Sequence, residues 1–298
     1  MRLTFGAMHR NAQEGIESAA TRLMEFQRQV STGKRIEKPS DDPSATLGSI
    51  GEHNETAAID QYTRTTDTVG SRLAVVDTVL SDLITQLTSA QVASASARGS
   101  SKTQSQRDAA ATELEAIRDT IFSDMTTAFN GSYLFSGSNS TVAPYSRPAG
   151  GPVSAYAGST NEMLVDVDQQ RAVKITFNGQ LITQGGDAQD IFVEFESLIA
   201  AVRAGDVAGV DAGMDALQRM FDRVSTAQGR VGADLRTIDE QKLRLDELKR
   251  SSARRISALE DTNMAEAISG MAQADAAYRA ALGAASTATK QSLMDYLR

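Results

Sequence analysis

The sequence predicts a mainly α protein: a long antiparallel coiled-coil rod formed by N- and C-terminal arms, with a small β domain inserted between them. Three observations lead there. Proline is confined to Pro39 and Pro43 at one site and Pro144, Pro148 and Pro152 at another, so residues 44–143 and everything after 152 lack the residue that most disrupts helices. Apolar residues in both arms recur at alternating spacings of four and three. The 298 residues hold no Trp, 9 Phe and 6 Tyr, with Ala supplying much of the apolar content. Such a vocabulary suits narrow seams between helices better than a wide core.

The first element, within residues 1–40, is a helix with Ile16, Ala20, Leu23, Gln27 and Val30 on one face. Lys38-Pro39-Ser40-Asp41-Asp42-Pro43 follows. Pro43 suits the first position of a helix, and Asp42 before it is a good N-cap that accepts orphan amide hydrogens. Ser40, Asp41, Asp42 and Pro43 are therefore read as a capping motif. A catalytic carboxylate pair would need a base, nucleophile or metal partner nearby, and none is evident.

Residues 41–130 form the first arm of the rod, expected to pair with residues 195–261. Val69, Leu73, Val76, Leu80, Leu83, Leu87 and Ala90 make a sustained heptad seam. One continuous helix from Asn54 to Phe129 would measure about 110 Å at 1.5 Å per residue, although Gly70 and Gly99 admit a break. In the second arm Leu217, Phe221, Val224, Val231, Leu235 and Ile238 keep the same register, with Gln228 as its polar exception.

Residues 131–194 differ in kind. Half of the 22 glycines lie between Gly131 and Gly213, and short β-type runs appear at Ala155–Tyr156, Met163–Val167, Ala172–Phe177 and Leu181–Ile182. Alternation in the middle two is that of a sheet with one wet face, and Asn178-Gly179 reads as a two-residue hairpin turn. Tyr133 and Phe135 are expected to be core side chains at the entry to this domain. The last element, residues 262–298, is again helical, with Met264, Ile268, Met271, Tyr278 and Leu282 at helical spacing. It is expected to pair with residues 1–40. Both terminal helices carry Ala, Ser, Thr and Gly on their outer faces, and a lone helix of this kind buries too little to offset its ordering entropy.

Several functions are disfavoured. A net charge of −8 argues against nucleic acid, which demands clustered cations. Lys249, Arg250, Arg254 and Arg255 are interspersed with Asp246, Glu247 and Glu260 and read as a solvated helix face. With no Cys, disulfides and thiolate metal sites are excluded. His9 and His53, the two histidines, lack metal-ligand spacing and are expected to be exposed or satisfied. No phosphate loop, dinucleotide fingerprint or nucleophile elbow is present. The opening MRLTFGAMHRNAQEG lacks the apolar core of a secretory signal, and no uninterrupted apolar run of 18 residues suggests membrane insertion. No cofactor is implied.

Gln29-Val30-Ser31-Thr32-Gly33-Lys34-Arg35-Ile36-Glu37-Lys38-Pro39-Ser40-Asp41-Asp42-Pro43 resembles the N-terminal signature of the flagellin and hook-associated superfamily. Asn130-Gly131-Ser132-Tyr133-Leu134-Phe135-Ser136-Gly137 is similar to the same superfamily where the helices enter the β domain. The segments Ala265–Ser269 and Ser292–Leu297 resemble its closing helix, and the Asp295-Tyr296-Leu297 ending is more like the hook-filament junction branch than flagellin. The resemblance implies a non-enzymatic, self-assembling component of the extracellular flagellum, exported through the flagellar channel without a cleaved signal peptide. It implies as partners the first hook-associated protein, flagellin and a cytoplasmic export chaperone. The candidate assembly residues are then Ile16, Leu23, Val30, Met264, Ile268, Met271, Tyr278, Leu282, Leu293, Tyr296 and Leu297. Flagellin itself is the nearest alternative. A sensory coiled coil would lack the β insert, and an enzyme would have only Glu162, Asp166 and Asp168 near that insert to draw on.

Overall fold

The computed structural model describes residues 5–99, 102–148, 151–168 and 171–296, with side chains between residues 10 and 287 of those stretches. In chain order the elements are α1 (Phe5–Thr32), α2 (Pro43–Ala97), α3 (Gln104–Met125), β1 (Ala128–Phe129), β2 (Ser132–Tyr133), β3 (Leu164–Asp168), β4 (Arg171–Lys174), α4 (Gly179–Thr183), α5 (Ile191–Ala204), α6 (Val207–Glu260) and α7 (Met264–Tyr296). The fold is mainly α, and its described strands form two antiparallel two-stranded sheets. Two compact units emerge: residues 1–58 with 248–298, and residues 59–247.

Within residues 59–247, α2 and α6 run antiparallel. Lys242 meets Asp67, Gln218 meets Gln91 and Asp211 meets Arg98, so each step forward along α2 is matched by an equal step back along α6. Between these polar rungs lies the heptad seam: Val69, Leu73, Val76, Leu80, Leu83, Leu87 and Ala90 are all buried. On α6 one row is as the sequence suggests, with Leu217, Val224, Val231 and Ile238 buried. The other row lies one residue earlier. Met220 is fully buried, while Phe221 and Leu235 pack at the edge of the cluster. A helix of 3.6 residues per turn drifts against a strict seven-residue repeat, which moves the buried face off the simplest heptad reading. By length and composition α2 is apolar enough to cross a membrane, which corrects the expectation that no run of 18 residues suggests membrane insertion. Leu73, Val76, Val79, Leu80, Leu83 and Leu87 are nevertheless buried within the chain, with Val75 and Ile84 partly buried against the same cluster.

The expectation of one helix through Phe129 fails at Ala97. The chain turns at Gly99, whose φ is +137°, and Thr103 opens α3 with a capping box in which Thr103 and Gln106 satisfy each other's backbone amides. Two backbone amides met by side chains make a new helix start competitive with continuation. The break lets α3 fold back and pack along α5, with Glu115 paired to Arg203, Arg118 to Glu196, and Phe122 edge-on to Phe192 at 6.3 Å. Gly205, at φ +74°, ends α5 in the left-handed conformation that lets α6 begin directly.

The inserted stretch is a looped cap with little sheet. Two Asn-Gly pairs occur there, and the hairpin is at the other one. Asn130 and Gly131 take φ values of +50° and +77°, as a tight two-residue hairpin needs, and join β1 to β2. Asn178, by contrast, caps α4, its side chain accepting from the Gln180 amide at 3.0 Å. Leu181 and Ile182 are thus helical, and Ala155–Tyr156 is not a strand. The β3–β4 hairpin is present, with an irregularity between Asp166 and Asp168. What holds the cap is aromatic and polar packing. Phe135 is fully buried, and Tyr145 stacks edge-on to Phe192 at 5.0 Å while its hydroxyl donates to Asp190 at 2.9 Å. Buried Arg72 on α2 reaches up to donate to the Ile175 and Tyr133 carbonyls.

One carboxyl in this unit is held against its charge. Asp124, on the last turn of α3, is half-buried, its Oδ2 has no hydrogen-bond partner, and burial with the like charge of Asp82 pushes it up to about 6. A helix C-terminus disfavours an anion as well. An acid favoured in the folded state costs stability as pH climbs from its unfolded value near 4 through 6. Asp124→Asn should therefore raise the unfolding free energy by about 1–3 kcal/mol at pH 7.5 and flatten the decline between pH 4 and 7, read by urea unfolding. In the same assay Leu83→Ala should cost about 2–5 kcal/mol through the cavity it leaves. Leu243→Ala, at a side chain 74% exposed, should cost about 0.5 kcal/mol or less.

Candidate functional site

The candidate site lies in the unit formed by residues 1–58 and 248–298. Its base is made by the first turns of α2 and the last turns of α6. Ser252 donates to Glu52 at 2.9 Å, and Arg255 donates to Glu52 at 2.7 Å and to Glu55 at 3.2 Å. Arg255, part of the expected solvated face, is therefore engaged in the packing of α2 on α6.

The capping motif has distinct jobs at its two carboxylates. Asp42 stands just before Pro43, which opens α2. Its Oδ1 accepts the Ala45 amide at 3.0 Å, the Ser44 amide at 3.1 Å and the Ser44 hydroxyl at 2.8 Å. Asp41 turns the other way, its Oδ2 accepting the Lys38 amide at 3.1 Å, the Glu37 amide at 3.2 Å and Arg28 at 3.3 Å. Backbone amides hold both acids below the usual carboxylate range, led by Glu37 for Asp41 and Ala45 for Asp42. Ser40 sits exposed in the turn just before them.

The chain crosses itself here. Gly33, at φ +71°, lets the backbone leave α1, and its carbonyl accepts the Thr262 amide at 2.9 Å. Lys34 and Asp261 form an antiparallel bridge, and the Arg35 amide donates to the Glu260 carbonyl at 2.7 Å. Glu260, the buried last residue of α6, ties the crossing together. Its carboxylate accepts Lys34 Nζ at 2.7 Å and the Ser49 hydroxyl, and lies 2.8 Å from His53 Nε2. Ser49 and His53 are four apart, so one face of α2 presents both. His53 is thus a satisfied histidine. Sequence reasoning missed this cluster because Lys34 and Glu260 stand 226 residues apart, and no local pattern relates them.

Beyond the crossing α1 and α7 pack antiparallel, with the Phe26 ring lying directly over Gly270. The face of α7 turned to α1 is small: Ala267 and Ala274 are its buried residues, flanked by half-buried Gly270, Met271 and Tyr278. On α1 Ile16, Leu23 and Val30 are likewise half-buried. The larger apolar residues of α7 flank that face uncovered: Met264 is 43%, Ile268 50% and Leu282 43% exposed. Leu293 and Tyr296 belong to α7, but their side chains, and Leu297 altogether, lie outside the described residues.

Glu162 pairs with Lys174 and Asp168 faces Arg244, while Asp166 is exposed on β3. No cluster of three metal-ligating side chains occurs among the described residues. A groove of about 660 Å³ between the β3–β4 hairpin, α4 and α6 is walled by Leu164, Val173, Phe177, Leu181 and Ile182. Among its charged residues, Lys174 is paired with Glu162 and Arg223 with Asp187.

Residues 6–140 match the model of the bacterial flagellin N-terminal helical region. The chain is 26% identical over 262 residues to flagellar hook-associated protein 3 of Escherichia coli K12, covering 80% of this chain and 81% of that protein. It is 26% identical over 258 residues to the Salmonella typhimurium protein of the same name, covering 79% and 80%. Among solved structures, a putative flagellar hook-associated protein from Vibrio parahaemolyticus aligns with a TM-score of 0.69 at 23% identity, covering 74% of this chain and 100% of the other. The flagellar junction protein FlgL from Legionella pneumophila gives 0.58 at 14% identity, covering 72% and 100%. The chain is thus similar to flagellar hook-associated protein 3 along about four-fifths of its length, and residues 6–140 are similar to the flagellin N-terminal helical region.

The Glu260 carboxyl is drawn from its ordinary 4.5 down to about 2, first by Lys34, then by Ser49 and His53, against the opposing effect of burial. A carboxylate so favoured contributes stability that is complete above pH 4.5 and disappears as pH falls toward 2. Allowing for the half-exposed Lys34 and His53, this amounts to on the order of 1–3 kcal/mol. Relative to intrinsic exchange at each pH, protection of the amides of residues 33–36 and 260–262 should fall as pH drops through that window, and Glu260→Ala should show low protection with little pH dependence through it.

Proposed function

We propose that this chain is a non-enzymatic structural subunit of the bacterial flagellum that polymerises as the adaptor between hook and filament. Similarity to hook-associated protein 3 along four-fifths of both chains carries this reading, and it favours a junction subunit over flagellin. The physical counterpart is the terminal pair. Helix α7 buries its small Ala267 and Ala274 at the contact with α1 and leaves Met264, Ile268 and Leu282 half-exposed. Covering each of these half-exposed side chains contributes about 1 kcal/mol, which becomes available when a neighbouring subunit supplies the cover. Ile16, Leu23, Val30, Met271 and Tyr278 border the same surface, and Leu293, Tyr296 and Leu297 are proposed to extend it.

In this reading residues 1–40 and 262–298 form the assembly helices, 41–130 and 195–261 the helical arms, and 131–194 the outward insert. Unlike surfaces meeting in succession build an open-ended polymer, with the first hook-associated protein on one side and flagellin on the other. Before assembly a cytoplasmic export chaperone covers the C-terminal helix, and the chain leaves through the flagellar export channel without a cleaved signal peptide.

Truncation after Ala265 tests the reading. The remainder should keep the circular dichroism and thermal unfolding of residues 59–247, while incorporation and filament retention are lost in a strain lacking the full-length chain. Normal motility from the truncated form would overturn the assignment, and self-assembly of the intact chain into long filaments would return it to flagellin.

A further inference from the structure

The α1–α7 pair is joined to the rest of its unit by two short passages of backbone, residues 33–42 and 261–263. Those passages meet at one place, the antiparallel bridge between Lys34 and Asp261, and the side chain spanning the meeting point is Glu260. It is buried and gathers Lys34 from the first passage together with Ser49 and His53 from α2. A buried carboxylate held by groups from separate segments fixes their relative placement, because removing one partner leaves the others incompletely satisfied. Backbone bonds on either side, Arg35 N–H to Glu260 O at 2.7 Å and Thr262 N–H to Gly33 O at 2.9 Å, are short-range and depend on the passages being held in register.

We propose that Lys34 and Glu260 are the positioning pair for assembly: they set the direction in which α1 and α7 leave the ends of α2 and α6, and with it whether the apolar arc of Met264, Ile268 and Leu282 meets the next subunit. The inference rests on the junction-subunit reading. Neither residue touches the neighbour; both act through the orientation of the helices that do.

The test uses full-length variants in a strain lacking the chain, with filament retention per cell as one readout and hydrogen exchange of the purified protein as the other. Glu260→Ala and Lys34→Met should speed exchange at residues 33–36 and 260–262 by about tenfold or more, leave residues 59–247 unchanged, and reduce retained filaments by about tenfold. Glu260→Gln and Lys34→Arg, which keep hydrogen bonds across the crossing, should retain filaments within about threefold of wild type. Should Glu260→Ala fail to fold, Lys34→Met decides, since Lys34 is half-exposed and its loss opens no core. Full retention by Lys34→Met overturns the positioning role, as does faster exchange spread evenly over the chain. If the wild-type chain itself fails to restore retention, the junction reading falls instead.

Discussion

The antiparallel register of α2 against α6 is the constraint on which residues 59–247 depend. Polar rungs at Asp67–Lys242, Gln91–Gln218 and Arg98–Asp211 enclose the buried rows of Leu73, Leu80 and Leu87 and of Leu217, Val224 and Val231. An exposed ion pair is worth little alone, so the rungs specify the pairing while apolar burial stabilises it. A slip of one position would bring charged residues into the seam. With the register fixed, α3 and α5 add to the same apolar cluster, and Arg72 projects from α2 at the height where the inserted cap needs donors for its carbonyls.

How far the sequence reveals this follows from the range of the interactions. Helical segments and heptad rows were legible because each depends on neighbours three or four residues away, and the cap of α2 was legible because Asp42 and Pro43 act locally. The inserted region was not. Two Asn-Gly pairs look alike in sequence. Only the surroundings decide that Asn130-Gly131 turns a hairpin, while Gly179 packs against the Phe135 carbonyl and Asn178 caps a helix. The end of α2 at Ala97 likewise depends on α3 finding α5. Least legible was the Glu260 cluster, whose members come from both ends of the chain, and where His53 alone offered a conspicuous residue type.

The terminal helices invert the usual distribution of bulk. In residues 59–247 the large apolar side chains face inward. In the α1–α7 pair the α7 side of the contact is made of small residues, with Ala267 and Ala274 buried and Gly270 under the Phe26 ring of α1, while Met264, Ile268 and Leu282 lie beside it half-exposed. Small residues permit close approach of helix axes but contribute little hydrophobic free energy, so the pair is a weakly held platform. A stable monomer would gain by exchanging the rows. The arrangement makes physical sense when further chain is to be laid over the platform, so that burial of the larger side chains accompanies assembly.

A weakly held platform on flexible connections would be a poor adaptor. Every subunit would have to surrender orientational freedom as it joined, at a cost that grows with the number of residues ordered in that step. The structure places directional polar contacts at those connections instead: Asp41 collects backbone amides of one passage, Asp42 caps α2 beside it, and Glu260 binds that passage to the end of α6. Short-range polar bonds suit this task because they are directional, whereas apolar contact tolerates sliding. In the proposed assembly the chain separates two requirements, leaving affinity to the uncovered apolar arc and orientation to the charged crossing, so that the loss of order on joining is largely met during folding.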